Sequence, residues 1–198
     1  LMQEETFPLR VERIVPETPR VKTFRIASDR GDLPFRFLPG QHLGVAPRPG
    51  GVAPGASPAS WRHFSLSSSP EDRAFSEITV LNQGAASSAL HRLSPGAEVE
   101  VTRPVGRFVL EEPVDHGPVF FGAGIGVAPL RSMIGTCLRR NLGEAITVFL
   151  AFSSAGEAIF LDRFRAWADR TPRMGLRVQW SGPGPAGEGQ SAAGAMQD

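Results

Sequence analysis

The sequence predicts a β-sandwich or small β-barrel followed by an α/β domain whose parallel sheet is incomplete. Of its 198 residues, 22 are Gly and 18 are Pro, and this share of turn-forming residues favours short strands over long helices. β-type runs fill roughly the first hundred residues, and strand-like and helix-like segments alternate afterwards. The change predicts a first domain at residues 1–112 and a second at residues 113–198.

Six short runs in the first domain are typical of strands, because turn residues separate them at the spacing of a sandwich or small barrel. These runs are Phe7–Val15, Arg20–Ala27, Gln41–Ala46, Arg62–Ser68, Phe75–Asn82 and Glu98–Thr102. The stretch Ala46–Ser60 is rich in Pro, Gly and Ala and has little to bury. We expect it to be a mobile surface loop.

The second domain has the order β-α-β-α-β, which is one mononucleotide-binding half of a doubly wound sheet. The expected strands and helices are Pro118–Phe121, Pro129–Asn141, Ile146–Phe152, Ala158–Arg170 and Leu176–Trp180. The first helix places five apolar residues on one face: Leu130, Met133, Ile134, Cys137 and Leu138. Cys137 is therefore predicted to be a core thiol. Ser181–Gln190 is typical of a linker.

The composition argues against several kinds of function. A formal net charge of +1 gives no basic field for nucleic acid or an anionic membrane. The longest mostly apolar run, Val119–Leu130, is shorter than the roughly 20 residues of a membrane span. The acidic start lacks the pattern of a signal peptide, so we expect a cytoplasmic protein. A single cysteine and four dispersed histidines predict no metal site.

The segment Arg62-His63-Phe64-Ser65 combines chemistry suited to a nucleotide cofactor. Arginine can bind a phosphate with two parallel hydrogen bonds. Two residues further along the same strand face, the ring of Phe64 could lie against a flat heterocycle. The Ser65 hydroxyl can donate or accept a hydrogen bond. The alternative is an ordinary strand with one exposed Arg and one buried Phe.

Two turns rich in small residues directly precede predicted helices. Gly84–Leu90 offers free backbone N–H groups beside Ser87 and Ser88, which predicts a phosphate site. The alternative is a serine cap without a ligand. Gly122–Leu130 lies directly between a strand and a helix, where glycines let a pyrophosphate approach the backbone.

In this order the segments resemble the ferredoxin–NADP reductase superfamily, which joins a flavin-binding Greek-key β-barrel to a Rossmann-like nicotinamide-nucleotide domain. Five motifs carry the resemblance: Pro39-Gly40-Gln41, Arg62-His63-Phe64-Ser65, Gly84–Ser87, Pro104-Val105-Gly106-Arg107-Phe108 and Gly124–Pro129. Three features depart from the family pattern. The chain has no Tyr, it has Ser153-Ser154 where relatives often have an Arg, and it lacks the later strands with their Cys-Gly-Pro motif.

The resemblance implies a role for each motif. Arg62 would hold the flavin diphosphate, Phe64 would pack on the isoalloxazine, and Ser65 would be the catalytic residue at flavin N5. Ile125 would lie near the nicotinamide. The full set of implied cofactor-binding residues is Arg62, His63, Phe64, Ser65, Val80, Leu81, Gly84, Ala86, Ser87, Ser88, Gly124, Ile125, Gly126 and Pro129.

The implied function is an NAD(P)H-dependent flavoprotein reductase that carries electron transfer from NADH or NADPH through FAD to a separate acceptor. That acceptor would be an iron–sulfur protein, a haem protein or an oxygenase component. The alternative is a truncated, non-catalytic flavin-binding module that serves as an electron relay or regulator within a larger assembly.

Overall fold

The computed structural model describes residues 5–47, 61–114, 117–182 and 184 of the chain. The strands are β1 (Thr6–Thr18), β2 (Val21–Ala27), β3 (His42–Pro47), β4 (Arg62–Ser65), β5 (Phe75–Leu81), β6 (Glu98–Thr102), β7 (Val119–Ala123), β8 (Ile146–Phe152) and β9 (Met174–Trp180). The helices are α1 (Ala85–His91), α2 (Val127–Arg139) and α3 (Leu161–Arg170). All six expected strands of the first domain are present.

The first six strands form an antiparallel sheet in the order β4-β3-β6-β1-β2-β5. Its two edges meet just after β4, because Leu66 bridges Ile78 and the Ser67 N–H donates to the Glu77 carbonyl at 2.7 Å. The sheet therefore closes into a barrel. Alternate residues point inward, and the largest fully buried side chains of this core are Val11, Phe24, Ile26, Leu43, Leu66, Ile78 and Leu90. The predicted barrel is confirmed.

The last three strands form a parallel sheet in the order β7-β8-β9. Because successive crossovers run in one direction, α2 and α3 cover the same face. Together with that face they bury an apolar core that includes Phe120, Val148, Phe164 and Cys137. The predicted β-α-β-α-β order and the core position of Cys137 are confirmed. The opposite face leaves Phe121 70% and Phe149 38% exposed.

Both helices begin at residues other than those predicted. α2 begins at Val127, two residues before Pro129, and proline is tolerated there because first-turn N–H groups have no helical partner. α3 begins at Leu161 instead of Ala158, because a 3₁₀ turn occupies Ala155–Glu157 and Phe160 has a left-handed φ of 59°. Within the described ranges, no helix is long and apolar enough to cross a membrane.

Parts of two other predictions lie outside the described residues. These are residues 48–60 of the expected surface loop and, in the expected C-terminal linker, residue 183 and residues 185–190. The boundary between residues 112 and 113 stays a prediction. The two cores meet closely, because Val21 and Leu81 of the barrel pack into the apolar core of the α/β sheet.

Candidate functional site

β4 carries the Arg-His-Phe-Ser segment along one edge of the barrel sheet. Its register with β3 places Arg62 opposite Val45 and Phe64 opposite Leu43, so both side chains share a strand face. Phe64 is half-buried and packs against the barrel core. Arg62 is exposed, and among the described residues its guanidinium makes one hydrogen bond, from Nη1 to the Trp61 carbonyl at 2.8 Å. The N–H groups of this guanidinium that bind no described residue could donate to a phosphate.

The other face of β4 carries His63 and Ser65. The rings of His63 and His42 meet edge to face with centroids 5.3 Å apart. Burial, together with the neighbouring His63, lowers the pKa of His42 below its ordinary value. Ser65 is half-buried opposite His42 in the register. The segment therefore presents a cation, an aromatic ring and a hydroxyl within four consecutive residues.

The Gly84–Ser88 turn uses its serine hydroxyls internally. Ser87 Oγ accepts the N–H groups of Gln83 and Gly84, each at 3.0 Å, and donates to the Gly84 carbonyl. Ser88 Oγ donates to Asn82 Oδ1 at 2.7 Å. A Cβ placed on Gly84 would meet no atom within 4 Å, so the space beside the turn is open. A phosphate would therefore meet backbone N–H groups there in preference to the Ser87 hydroxyl.

Val80 and Leu81 end β5 and point in different directions. The Val80 side chain is fully buried in the barrel core, and the expectation that it lines a bound ring stays a prediction. Its carbonyl contacts His91 Nε2 at 2.9 Å. Leu81 is half-buried and packs toward the α/β sheet. Leu81 is therefore the member of this pair placed at the junction of the two sheets.

The Gly124–Gly126 turn links β7 to α2 as one turn of 3₁₀ helix. Gly124 has a φ of +49°, which favours glycine. A Cβ on Gly124 or Gly126 would meet no atom within 4 Å, and no side chain caps α2. Ile125 is 36% exposed and Pro129 is half-buried. The turn is an open helix N-terminus, which suits an anionic group.

The two halves of the candidate site are neighbours, because the Gly124–Gly126 turn lies against β5. An exposed guanidinium, an aromatic face and an open backbone turn on the barrel fit a flavin dinucleotide. The open start of α2 fits a second dinucleotide.

Sequence reasoning missed a buried ion pair between Glu77 and Arg131 at this junction. The sequence feature that could have indicated the two buried charges is a single charged residue among apolar neighbours, Glu77 in β5 and Arg131 in α2.

A model of the oxidoreductase FAD-binding domain family matches residues 8–110, just over half of the chain. The chain belongs to this family. The match covers the barrel from β1 through β6. The expected resemblance to the ferredoxin–NADP reductase superfamily is confirmed, as is the expectation of a flavoprotein reductase that uses FAD.

The similarity of the chain to other proteins extends over both sheets. The chain is 29% identical over 194 residues to ferredoxin–NADP reductase B of Sorangium cellulosum, covering 96% of this chain and 76% of that protein. It is 30% identical over 180 residues to the ferredoxin reductase component of 3-ketosteroid-9-alpha-monooxygenase from Rhodococcus rhodochrous, covering 87% of this chain and 48% of that protein. The flavohem-like FAD/NAD binding domain of nitric oxide dioxygenase from Vibrio cholerae superposes with a TM-score of 0.78 at 22% identity, covering 96% of this chain and 82% of that structure. The last comparison shows a shared fold for barrel and α/β sheet.

Proposed function

We propose that the protein passes electrons from NADH or NADPH through barrel-bound FAD to a separate acceptor protein. The observation that carries this proposal is the contact between the open Gly124–Gly126 turn and β5 of the FAD-binding barrel. A nucleotide held by α2 at this turn would lie beside the barrel surface on which β4 presents its cofactor-binding side chains. FAD supplies the redox chemistry, and the protein supplies binding and orientation.

On the barrel, the residues of β4 would bind and orient the flavin. The exposed Arg62 guanidinium would pair with the diphosphate, and the ring of Phe64 would pack on the isoalloxazine. The Ser65 hydroxyl would hydrogen-bond to N5 and is our candidate catalytic residue. A phosphate oxygen would meet the backbone N–H of Ala86 in the first turn of α1, because the N–H groups of Gly84 and Ser88 already donate to Ser87 Oγ and to the Gly84 carbonyl. His63 and Leu81 complete the proposed set.

On the α/β domain, the start of α2 would bind the nicotinamide nucleotide. Gly124 and Gly126 leave room for a pyrophosphate, and Pro129 lies in the first turn behind them. Ile125 would contact the nicotinamide. Ser153 is exposed and Ser154 half-buried just after β8. Because neither can form the ion pair that an arginine makes with a 2′-phosphate, we expect NADH to be preferred or the two donors to be poorly distinguished.

For the electron acceptor we propose a chemical class and no individual protein. The relatives named above include a ferredoxin–NADP reductase and a reductase component of a monooxygenase. We therefore propose an iron–sulfur protein, a haem protein or an oxygenase component as the acceptor, and the cytoplasm as the compartment. The balanced charge of the chain, +1 overall, gives no basis for nucleic-acid binding.

A second candidate function is a flavin-binding relay or regulatory module that does not oxidise NAD(P)H. The observation that favours it is the uncovered face of the α/β sheet, where Phe121 is 70% exposed. Within the described residues no element covers this face. A nicotinamide needs walls on both sides to reach near-attack geometry, so an incomplete α/β domain would bind flavin yet transfer hydride slowly.

Steady-state oxidation of NADH and NADPH by FAD-loaded protein, with a generic dye as acceptor, separates the two candidates. The reductase proposal predicts turnover that depends on added FAD and rises when a partner protein is present. A protein that holds FAD but oxidises neither nucleotide, with or without a partner, contradicts the reductase proposal and supports the relay. Protein that fails to retain FAD contradicts both.

A further inference from the structure

A buried ion pair joins the two sheets beside the candidate site. Arg131 Nη2 on α2 donates to Glu77 Oε2 on β5 at 2.7 Å, and the two residues are 8% and 6% exposed. The other carboxylate oxygen of Glu77 accepts hydrogen bonds from Arg25 Nε and Nη2 at 3.1 and 2.9 Å. The Arg131 guanidinium also lies 4.6 Å from the centroid of the Phe160 ring. Both partners are therefore held from several directions.

The electrostatics of this pair favour two charged groups. Burial by itself raises the pKa of the Glu77 carboxyl, but the charge and hydrogen bond of Arg131, followed by those of Arg25, bring it below its ordinary value. Thr79 and Ser67 lie next to the pair, with their hydroxyl oxygens 2.8 Å apart. The barrel surface that Arg131 contacts is therefore polar. Nearby, Val21 and Leu81 pack on apolar side chains of the α/β domain.

The position of the pair links the two proposed binding elements. Glu77 lies on the strand that ends at Val80 and Leu81, and Arg131 lies in the helix that begins directly after the Gly124–Gly126 turn. That turn lies against β5. A shift of α2 relative to Glu77 would therefore move the turn relative to the end of β5.

Other contacts hold the remainder of α2 on the barrel. Thr136 Oγ1 and Ser69 Oγ are 2.9 Å apart, and Arg139 Nη1 donates to Asp72 Oδ1 at 2.8 Å. These contacts lie further along the helix than Arg131. The Arg139 side chain is 48% exposed, and solvent weakens such a pair. Among the described residues, the hydrogen bonds of Arg131 are thus the side-chain contacts of α2 with the barrel that lie nearest to the glycine turn along the helix.

We propose that the Glu77–Arg131 pair is a positioning device that fixes the Gly124–Gly126 turn against β5 and so sets the approach of a bound nicotinamide to the flavin. The catalytic part of this inference rests on the proposed function. Glu77 and Arg131 are positioning residues, because they act through the strand and helix that carry them. Misplacement of reacting groups by about 1 Å can cost on the order of a hundredfold in rate.

The test compares Glu77→Gln with Asp72→Asn in the full chain. Both substitutions neutralise one carboxylate that pairs with an arginine of α2, but Asp72 pairs with an exposed arginine at the far end of the helix. The double variant Glu77→Leu/Arg131→Met removes both charges, which avoids leaving a buried arginine unpaired if Glu77→Gln does not fold.

The first readout is hydrogen–deuterium exchange of the chain without cofactor. We expect faster exchange at the Gly124–Gly126 turn and the first turn of α2 in Glu77→Gln or in the double variant. Asp72→Asn should match wild type there, and the acceleration at the turn in the Glu77 variants should exceed any acceleration in β1, which reports on global stability. The proposal is overturned if the exchange rate at the turn equals that of wild type both in the double variant and in a folded Glu77→Gln variant.

The second readout is anaerobic reduction of bound FAD by NADH. We expect at least a tenfold slower limiting rate in Glu77→Gln or the double variant, with FAD affinity within threefold of wild type. Equal limiting rates overturn the catalytic part of the proposal. If wild type itself is not reduced by NADH or NADPH, the proposed function fails, and the exchange result still decides the positioning claim.

Discussion

The rings of Phe121 and Phe149 stack in parallel on the face of the α/β sheet that no described element covers. Their centroids are 4.7 Å apart and their planes differ by 5°. The two residues are direct neighbours in the register of β7 and β8, and both side chains are exposed. An exposed aromatic pair of this kind forms part of a contiguous apolar surface.

We expect Phe121→Ser to reduce the binding of an environment-sensitive apolar dye at least twofold. The free energy of unfolding should change by less than about 1 kcal/mol, because Phe121 is exposed in the folded protein. Dye fluorescence and urea unfolding check the two expectations. Phe120→Ser is the matched control, because Phe120 is buried in the core on the other face, and it should cost about 3 kcal/mol or more. Unchanged dye binding in Phe121→Ser would show that this face is covered.

Arg62→Ala should weaken FAD binding by roughly ten- to 150-fold. This range corresponds to about 1.5–3 kcal/mol for hydrogen bonds to a charged group. Fluorescence titration with FAD and with FMN measures the effect, and wild type should prefer FAD because the barrel offers two anion sites. Arg13→Ala is a suitable control, since Arg13 is another exposed strand arginine and lies on β1, three strands away in the sheet order. Equal FAD affinity in wild type and Arg62→Ala would remove Arg62 from the site.

Cys137 should be nearly inert in the folded protein. Burial raises the pKa of its thiol from 9.0 to about 11, which lowers the thiolate population near neutral pH by about a hundredfold. Alkylation by iodoacetamide should therefore be at least a hundredfold slower in the native protein than in urea. Because Cys137 is the single cysteine of the chain, the label reports on it alone. Rapid alkylation of the native protein would contradict the burial of Cys137 in the core.

The stability contributed by the Glu77–Arg131 pair should depend on pH. Because the folded-state pKa of Glu77 is lowered, this contribution is complete above the unfolded pKa of roughly 4.3 and is lost as pH falls through the folded value. Glu77→Gln should cost about 3–5 kcal/mol at pH 7, and its difference from wild type should shrink in acid. Urea unfolding at pH 7 and at a series of pH values down to about 2.5, below the lowered pKa, tests this, with the exposed Glu144→Gln as control. A difference that grows in acid would contradict the assigned charge state.

Much of the architecture was predictable because local patterns agree with the fold. Strand alternation and turn residues placed β1 through β6, and the apolar spacing of α2 placed Cys137 in the core. The start of α3 was missed because a left-handed phenylalanine, Phe160, is held by packing and not by its sequence neighbours.

The site was predictable residue by residue but not in three dimensions. The glycines of Gly124–Gly126 mark an open turn because their role is local. The buried side chain of Val80 and the internal hydrogen bonds of Ser87 depend on how the strand and turn are oriented. Glu77 and Arg131 are 54 residues apart in sequence. No local sequence pattern therefore shows that these two residues pair with each other.

We expect a nicotinamide nucleotide bound at the start of α2 to reduce FAD held by the barrel. Gly126 offers a direct test, because it has a helical φ of −62° and a Cβ there meets no atom within 4 Å. Aspartate and asparagine are both good residues at a helix N-cap, so both variants should fold. Aspartate alone brings a negative charge that repels a pyrophosphate.

The decisive measurement is anaerobic stopped-flow reduction of FAD-loaded wild type, Gly126→Asp and Gly126→Asn over a series of NADH concentrations. We predict that wild type loses its oxidised-flavin absorbance, that both variants need more NADH for half-maximal rate because a side chain takes up room at Gly126, and that the added charge makes Gly126→Asp need at least tenfold more NADH than Gly126→Asn. Wild-type flavin that remains oxidised with both NADH and NADPH, or a Gly126→Asp variant indistinguishable from wild type, would contradict the account.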